Sequence, residues 1–253
     1  MHPKQKNKVR IVQISDCHVG ADPGALYRGQ SADKNLAAIV QVAKAWQPQL
    51  VMLTGDVSED GSQESYERTS KLLAQIDVDV IALPGNHDDV SQMREYFPAG
   101  PWDRPYVHFL EGWQLIMLDS TEPGEVSGSF SPEQLERLGQ ALSDGEEIHR
   151  LLALHHQPVM VDAPWIDRYC LESPEEFFAV IDRSSSVRCI AWGHVHQDFR
   201  VERKARSLLG APSSVANSLP GTERFSLDPA GPACRWLELS ADGSVETGIL
   251  YRA

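Results

Sequence analysis

Five short, mostly apolar runs are spaced along the first 200 residues of the chain. Apolar runs of about four to eight residues, bounded by glycine and polar residues, are typical of strands that are buried in a sheet. We therefore predict five core strands, at residues 9–14, 50–53, 78–83, 151–154 and 187–192.

Apolar residues at helical spacing lie between these predicted strands. They recur every three or four positions over residues 36–46, with Ser31 as the N-cap and Pro48 after the end, which predicts a helix joining the first two strands. Further helices are predicted at residues 62–75 and shortly after Asp89. Strands and helices therefore alternate through the first 100 residues, which predicts a parallel sheet with right-handed crossovers.

The second half of the chain combines helix starts with hairpins. Residues 131–134 and 173–176 are capping-box sequences with a proline at the first helical position. Two hairpins are predicted, pairing 106–110 with 113–118 and 199–203 with 207–210. We expect an α/β fold in one domain over residues 1–253: a four-layer α/β/β/α sandwich of two facing mixed β-sheets flanked by helices, with the active site at the C-terminal ends of the strands.

The charge and hydrophobicity of the chain argue against two classes of partner, nucleic acids and membranes. Asp and Glu number 36 against 23 Lys and Arg, which gives a formal charge of −13, and no basic run is interleaved with aromatic residues. This composition argues against nucleic-acid binding, which needs a cationic surface. No stretch approaches the length of about 20 apolar residues that a membrane span needs, so we expect no membrane partner.

Cysteine usage and the start of the chain predict the compartment. The basic residues 1–8 lead into a strand pattern without the apolar region of a secretory signal. The cysteines form neither a CxxC pair nor a dense framework, so we expect free thiols and a soluble cytoplasmic protein. They are Cys17, Cys170, Cys189 and Cys234.

A short block of polar residues follows each of the five predicted strands. A single Asp-x-His pair is common by chance, and a lone histidine on an apolar strand is more often a hydrogen-bonded core residue. Carboxylate, amide and imidazole side chains after all five strands together indicate a metal site. The blocks are Asp16-x-His18, Gly55-Asp56, Gly85-Asn86-His87-Asp88, His155-His156 and Gly193-His194-x-His196.

The spacing within two of these blocks suggests shared faces. If the chain is extended, the side chains of Asp16 and His18 point to one face, and Cys17 points to the other, where it packs. His194 and His196 would share a face for the same reason.

These ligand types fit borderline divalent metals such as Mn, Fe, Zn or Co. Two such ions about 3.5–4 Å apart can hold both oxygens of an in-line displacement at phosphorus and lower the pKa of a shared water. A hydroxide that bridges the ions would then be the nucleophile. The ions also reverse the local charge, so that an acidic protein can bind an anionic phosphate.

In this order, the blocks resemble those of the calcineurin-like metallophosphoesterase superfamily over about residues 9–196. The surrounding sequence resembles more narrowly the bacterial class III 3′,5′-cyclic-nucleotide phosphodiesterases, for example at residues 83–88, 118–120 and 193–197. Purple acid phosphatases of the superfamily have a tyrosine ligand three residues after the bridging Asp, where this chain has Glu59.

The resemblance implies two metal ions, with Fe or Mn or both expected and Zn or Co as alternatives. Asp16, His18 and His196 would hold one ion, Asn86, His155 and His194 the other, and Asp56 would bridge both. His87 would face the substrate phosphate, with Asn86 and His194 also contacting the substrate, and His87 and Asp56 would be catalytic. Asp88 would orient His87 or a backbone turn, and His156 would support its neighbours or belong to the core.

The leading hypothesis for function is hydrolysis of 3′,5′-cyclic AMP to 5′-AMP. One alternative is a broader phosphodiesterase that acts on glycerophosphodiesters or 2′,3′-cyclic nucleotides, and another is a non-catalytic nucleotide-sensing module. Residues 157–171, which follow the fourth block and contain Trp165, are a candidate lid. The oligomeric state stays open, and a homodimer is one option.

Overall fold

The computed structural model describes residues 8–143 and 148–252. The prediction about the first residues of the chain therefore lies mostly outside the described part, and the prediction of a single domain stays a prediction. Two of the five predicted core strands, at 9–14 and 187–192, have the predicted bounds, and the other three differ by no more than two residues at either end. The strands are β1 (Val9–Ile14), β2 (Leu26–Tyr27), β3 (Gln30–Ser31), β4 (Leu50–Thr54), β5 (Asp79–Leu83), β6 (Tyr106–Leu110), β7 (Trp113–Met117), β8 (His149–Leu154), β9 (Val187–Trp192), β10 (Phe199–Arg203), β11 (Arg206–Gly210), β12 (Ala233–Leu239) and β13 (Val245–Tyr251).

Five of the six α-helices in the described ranges lie where the apolar spacing and the helix starts predict them, and the sixth, at Pro164–Asp167, lies in the candidate lid, where no helix was predicted. The second helix continues into a 3₁₀ turn at Ala74–Ile76, which completes the predicted range. None of the helices in the described ranges has the length and hydrophobicity that crossing a bilayer requires. The α-helices are α1 (Ala32–Trp46), α2 (Gln63–Leu73), α3 (Val90–Tyr96), α4 (Pro132–Ser143), α5 (Pro164–Asp167) and α6 (Pro174–Ile181).

The main strands form two mixed sheets. The first has the order β13-β12-β1-β4-β5, in which β1, β4 and β5 are parallel as predicted. The second has the order β10-β11-β9-β8-β7-β6, with β6 and β10 antiparallel at its two edges. Both predicted hairpins are confirmed, and β2 and β3 form a separate small hairpin.

Three apolar layers hold the sheets and helices together. One layer lies between the sheets, where Ile11 and Met52 of the first sheet join Leu115 and Leu151 of the second. A second layer packs α1, α2 and α3 on the outer face of the first sheet, and a third packs α4, α5 and α6 on the outer face of the second. The four-layer α/β/β/α sandwich is therefore confirmed, and it brings the C-terminal ends of β1, β4, β5, β8 and β9 to one end of the molecule.

One of the two predicted capping boxes is wrong. The backbone N–H of Ser131 donates to Gln134 Oε1 at 2.8 Å, and the backbone N–H of Gln134 donates to Ser131 Oγ at 3.2 Å, as a capping box requires. Ser173 makes no such bond, because its φ of 47° turns its side chain away from the first helical turn. The proline at the first helical position still marks the start of α6 correctly.

Candidate metal centre

The candidate ligands from both sheets converge at the C-terminal ends of their strands. The ligand atoms of Asp16, His18 and His196 all lie within 4.8 Å of one another, and so do those of Asp16, Asp56 and His155. A third group joins His155 to His194 and His156, again within 4.8 Å. These residues follow the C-terminal ends of parallel strands, which lie at the same end of the two sheets. The strand topology therefore assembles the cluster.

Five of the candidate ligands have left-handed backbone conformations. The φ angles are 52° at Asp16, 42° at His18, 48° at Asp56, 65° at His194 and 49° at His196. Such angles are uncommon outside glycine, and strained residues of this kind concentrate at functional sites.

This backbone geometry corrects the prediction from extended chain. Asp16 and His18 do converge, and Cys17 is buried as predicted, with a pKa raised to about 12 by burial. His194 and His196 do not share a face, because His194 approaches His155 whereas His196 approaches His18. The left-handed turns therefore divide the second pair of histidines between two groups of ligands.

The first group of ligands, which we call the first subsite, is made by Asp16, His18 and His196. The Nδ1 atom of His18 lies 2.7 Å from Glu59 Oε2, and that of His196 lies 2.8 Å from the carbonyl oxygen of Ala216. In its neutral form, a ring that donates through Nδ1 has its lone pair on Nε2, where it can bind a metal. The two Nε2 atoms face each other at 3.1 Å, and Asp16 Oδ1 lies 3.3 Å from that of His196.

The second subsite is made by Asn86, His155 and His194, and it repeats this arrangement. His155 Nδ1 lies 2.8 Å from the carbonyl oxygen of Thr54, and His194 Nε2 lies 3.1 Å from that of Tyr169. The remaining nitrogens, His155 Nε2 and His194 Nδ1, face each other at 3.2 Å. Asn86 is their predicted partner, since it stands between Gly85, which packs against His155, and His87, whose backbone N–H donates to Asp56 Oδ1.

Asp56 lies between the two subsites and presents one carboxylate oxygen to each. Its Oδ2 is 3.7 Å from His18 Nε2, and its Oδ1 is 3.4 Å from His155 Nε2. A carboxylate in this position can bind two cations at once, as the resemblance implied for this residue.

The donor atoms of the two subsites fit two metal ions. In each subsite two imidazole nitrogens face each other, at 3.1 Å in the first and 3.2 Å in the second, and in their neutral form both could bind a shared cation. The Oδ1 atom of Asn86 is buried and has no hydrogen-bond partner within the described ranges, although buried amide oxygens are normally satisfied. Nitrogen and oxygen donors without thiolates match the borderline metals expected from the sequence.

The electrostatics of the site favour a positive charge between the sheets. Burial raises the pKa of Asp56, but His155 and His18 outweigh burial and hold that pKa well below its ordinary value. Burial lowers the pKa of His155, yet Asp56 and Asp16 raise it to about 9 overall. The field that holds a proton on His155 would equally stabilise a metal cation there.

Two glycines allow this close packing. A Cβ atom on Gly85 would collide with Asp56 and His155, and one on Gly193 would collide with Ser15, the Thr54 carbonyl and Asp16. Any larger residue at either position would displace candidate ligands, so the glycines in the sequence blocks serve the close approach of the strands.

Asp88 and His156 support the site through hydrogen bonds to neighbouring groups. The Asp88 carboxylate accepts hydrogen bonds from the backbone N–H groups of Val57, Ser58 and Gly85, so it orders the turn after Asp56 and does not orient His87. Both nitrogens of His156 are engaged, by Ser120 Oγ at 2.9 Å and by the Val126 carbonyl at 3.1 Å. Burial and the charge of His155 lower its pKa to about 3, so it is neutral.

His87 lies beside the first subsite, with a ring nitrogen within 4.8 Å of ligand atoms of His18 and Asp56, and its role toward a substrate stays a prediction. Its side chain is 36% exposed, whereas the histidines of the two subsites are buried. Its Nδ1 atom is 3.3 Å from both the carbonyl oxygen and the Oε2 atom of Glu59. This contact fixes the ring and leaves Nε2 as the nitrogen that can reach a substrate.

The sequence analysis missed the groups that orient the histidines. Three of them are backbone carbonyls, at Thr54, Tyr169 and Ala216, which leave no signal in a sequence. The fourth is the Glu59 carboxylate, which contacts both His18 and His87. In the sequence, Glu59 serves only as a contrast to the tyrosine ligand that purple acid phosphatases have three residues after the bridging Asp. An acidic residue so close to the predicted ligand Asp56 is the signal that could have suggested a hydrogen-bonding role.

Replacing Glu59 with glutamine tests that role. We expect the Glu59→Gln variant to bind one metal equivalent about 10- to 100-fold more weakly, because ligating histidines lose basicity without their carboxylate partner. Titration of the metal-free protein with Mn²⁺ measures both affinities. Glu67→Gln is the control, since Glu67 pairs with Lys71 on the exposed face of α2. Unchanged affinity in Glu59→Gln would show that this carboxylate does not support a ligand.

Comparison with known proteins agrees with the site. The model of the family described as Calcineurin-like phosphoesterase matches residues 9–198. A Pseudomonas aeruginosa protein named 3′,5′-cyclic adenosine monophosphate phosphodiesterase CpdA is 35% identical over 249 residues, covering 98% of this chain and 91% of that protein. The protein of the same name from Escherichia coli K12 is 33% identical over 245 residues, covering 96% and 89%.

Solved structures show the same fold. A dimetal phosphatase from Danio rerio has a TM-score of 0.70 at 17% identity, with 98% of this chain and 100% of that chain covered. A purple acid phosphatase from yellow lupin has a TM-score of 0.64 at 13% identity, with 99% and 55% covered. From the family match over three quarters of its length and its relatives at 33–35% identity, we conclude that the chain belongs to the calcineurin-like phosphoesterase family.

Proposed function

We propose that this protein is a metal-dependent phosphodiesterase that hydrolyses 3′,5′-cyclic AMP to 5′-AMP. The observation that carries the proposal is the pair of subsites, in which opposed imidazole nitrogens flank a shared carboxylate. The substrate is inferred from the relatives named as cyclic AMP phosphodiesterases, which align over nearly the whole chain.

We propose that the two subsites each hold one metal ion. Asp16, His18 and His196 would bind the first ion, Asn86, His155 and His194 would bind the second, and Asp56 would bind both. Iron, manganese or a mixed pair are our candidates, with zinc and cobalt as alternatives, because the donors are imidazole, carboxylate and amide oxygen. When bound, the two ions neutralise the phosphate and lower the pKa of a water so that it can attack phosphorus near neutral pH.

The other residues of the chain would supply positioning and a proton. In the reaction a water oxygen bonds to phosphorus, the bond between phosphorus and the ribose 3′ oxygen breaks, and that oxygen takes up a proton. His87 is our candidate donor, because Glu59 fixes its Nδ1 atom and its Nε2 atom is open to the mouth of the site. Asn86 and His194 would line the bound phosphate beside it.

The direct test is turnover by the purified protein after metal removal and reloading with Mn²⁺ or Fe²⁺. We expect cyclic AMP to be converted to 5′-AMP, identified by chromatography, with no activity in the presence of a chelator. Rapid cleavage of bis(p-nitrophenyl) phosphate without turnover of cyclic AMP would instead support a broader phosphodiesterase acting on glycerophosphodiesters or 2′,3′-cyclic nucleotides. Metal binding without turnover of any diester would support a non-catalytic sensing module.

The remaining predictions about partners follow from charge and cysteines. We propose that the protein acts in the cytoplasm without a nucleic-acid or membrane partner, because it carries a formal charge of −13 and four free thiols. A homodimer stays a prediction, which light scattering can test.

The candidate lid, residues 157–171, is held by hydrogen bonds from the backbone N–H groups of Val161 and Ala163 to the Asp167 carboxylate. We propose that it forms a wall of the substrate site.

A further inference from the structure

The small β2–β3 hairpin carries an arginine at its tip. Arg28 and Gly29 form the turn, with φ angles of 47° and 78°. Positive φ at both central residues is the geometry of a type I′ turn, which favours asparagine or glycine at the first of them. Arginine is therefore strained in this position, and a strained side chain at the edge of a functional site is a reason to look for a role.

Aromatic rings from three separate segments of the chain surround the Arg28 side chain. Its guanidinium carbon lies 4.0 Å from the ring centre of Phe225, 5.4 Å from that of Tyr27 and 5.8 Å from that of Trp165. Its Nε atom donates to the Tyr27 hydroxyl at 3.2 Å. In the described ranges no carboxylate forms an ion pair with Arg28, although the chain as a whole is strongly acidic.

This aromatic cluster, formed by Tyr27, Trp165 and Phe225, adjoins the first subsite. The Tyr27 ring stacks on the His18 ring at 3.8 Å with an angle of 4° between the planes. The rings of Trp165 and Phe225 approach His196 edge-on, with centroid distances of 6.1 and 6.3 Å. Arg28 itself is exposed to solvent, so an incoming planar group can reach it.

We propose that Arg28, supported by the Phe225 ring, stacks on the nucleobase of the substrate and so selects nucleotides over other phosphodiesters. The proposal rests on the proposed function, which puts the cyclic phosphate at the two subsites. A cyclic nucleotide has a rigid fused ribose, so its base lies one sugar away from the phosphate, toward the rim of the site. Guanidinium planes and aromatic rings are the groups on which proteins stack exposed bases.

An arginine that bound the phosphate would give a different result from one that binds the base. A phosphate contact would assist every phosphodiester equally. A base contact assists only substrates that carry a base, and purines with their larger rings should gain more than pyrimidines. Comparing ligands with and without a base therefore separates the two roles.

The test uses Mn²⁺-loaded protein with Arg28→Asn, which suits the left-handed turn. We expect about a tenfold rise in KM for cyclic AMP and in Kd for 5′-AMP, as expected from losing one stacking contact. The KM for bis(p-nitrophenyl) phosphate and the Kd for ribose 5-phosphate should not change, nor should the Tm fall. Calorimetry gives both dissociation constants without turnover.

Two further variants complete the design. Phe225→Leu leaves the hairpin unaltered and removes the ring under Arg28, so it should produce a smaller loss confined to the ligands that carry a base. Arg10→Ala is the matched control, because the Arg10 guanidinium carbon also lies 4.0 Å from an aromatic ring centre, that of Trp46, but lies near the start of β1. Arg10→Ala should affect stability and leave both KM values unchanged.

Three results would overturn the proposal. The first is equal weakening of cyclic AMP and the aryl diester in Arg28→Asn, which would assign Arg28 to the phosphate. The second is no change in either Kd, and the third is a wild-type protein that binds 5′-AMP no more tightly than ribose 5-phosphate. Failure of the wild type to hydrolyse cyclic AMP would refute only the proposed function. The Kd values for 5′-AMP and ribose 5-phosphate would still test whether Arg28 contacts the base, because they are measured without turnover.

Discussion

Replacing Asp56 with alanine is expected to abolish turnover of cyclic AMP and to remove at least one of the two metal ions. The reason is the position of its carboxylate, with Oδ2 at 3.7 Å from His18 and Oδ1 at 3.4 Å from His155. Asp56 therefore presents one carboxylate oxygen to a histidine of each subsite. Metal content by mass spectrometry and the initial rate with cyclic AMP measure the two losses in the same sample.

A stability measurement adds an independent check on the Asp56 variant. Ligands that bind only the folded state raise its stability by an amount that grows with concentration. The Tm of the wild type should therefore rise on addition of Mn²⁺, and that of Asp56→Ala should rise less or not at all. Asp33→Ala is the control, since Asp33 pairs with Arg68 between α1 and α2. Retained turnover with two bound metals would refute our assignment of Asp56.

Replacing His87 with alanine is expected to lower kcat for cyclic AMP by about 100-fold, as for loss of a positioned general acid, with normal metal content. Unlike the four histidines in the two subsites, which are buried, His87 reaches solvent and contacts Glu59. A p-nitrophenolate leaving group needs no proton, so the loss with bis(p-nitrophenyl) phosphate should be much smaller. The two kcat ratios together test the proton donor directly.

The His87 prediction has a matched control in His108→Ala. His108 lies on the edge strand β6, where it contacts Tyr106 and no candidate ligand. It should leave both kcat values unchanged. Loss of metal from His87→Ala in proportion to the loss of rate would contradict the acid role and make His87 a ligand or a structural residue.

Most of the fold was predictable because its strands are short, buried and separated by helices. Continuous apolar runs gave all five strands that carry ligands, and proline and serine gave the starts of α4 and α6. β12 and β13 were missed, although β12 pairs with β1 along its length. β12 and β13 form a hairpin with each other, but β12 joins the first sheet by pairing with β1, which lies more than 200 residues away in sequence, so no local pattern assigns the hairpin to that sheet.

The prediction of the site succeeded for residue identity and failed for backbone conformation. Extended geometry wrongly predicted that His194 and His196 share a face, because left-handed turns at both residues cannot be inferred from side-chain types that rarely adopt them. The predicted capping at Ser173 failed for the same reason. Local conformations that only the surrounding packing stabilises are not encoded in the local sequence.

The sequence by itself determined the order of the strands, the residues that follow them and the family of the chain, since apolar periodicity and ligand chemistry are local properties. The tertiary structure alone decided which ligands oppose one another, that Asp56 presents one oxygen to each subsite, and that Glu59 and three backbone carbonyls orient the histidines. The tertiary structure also places Arg28, Trp165 and Phe225 next to one another, although they lie far apart in the sequence. These are distances between groups far apart in the chain, and only the packing of two sheets against each other fixes them.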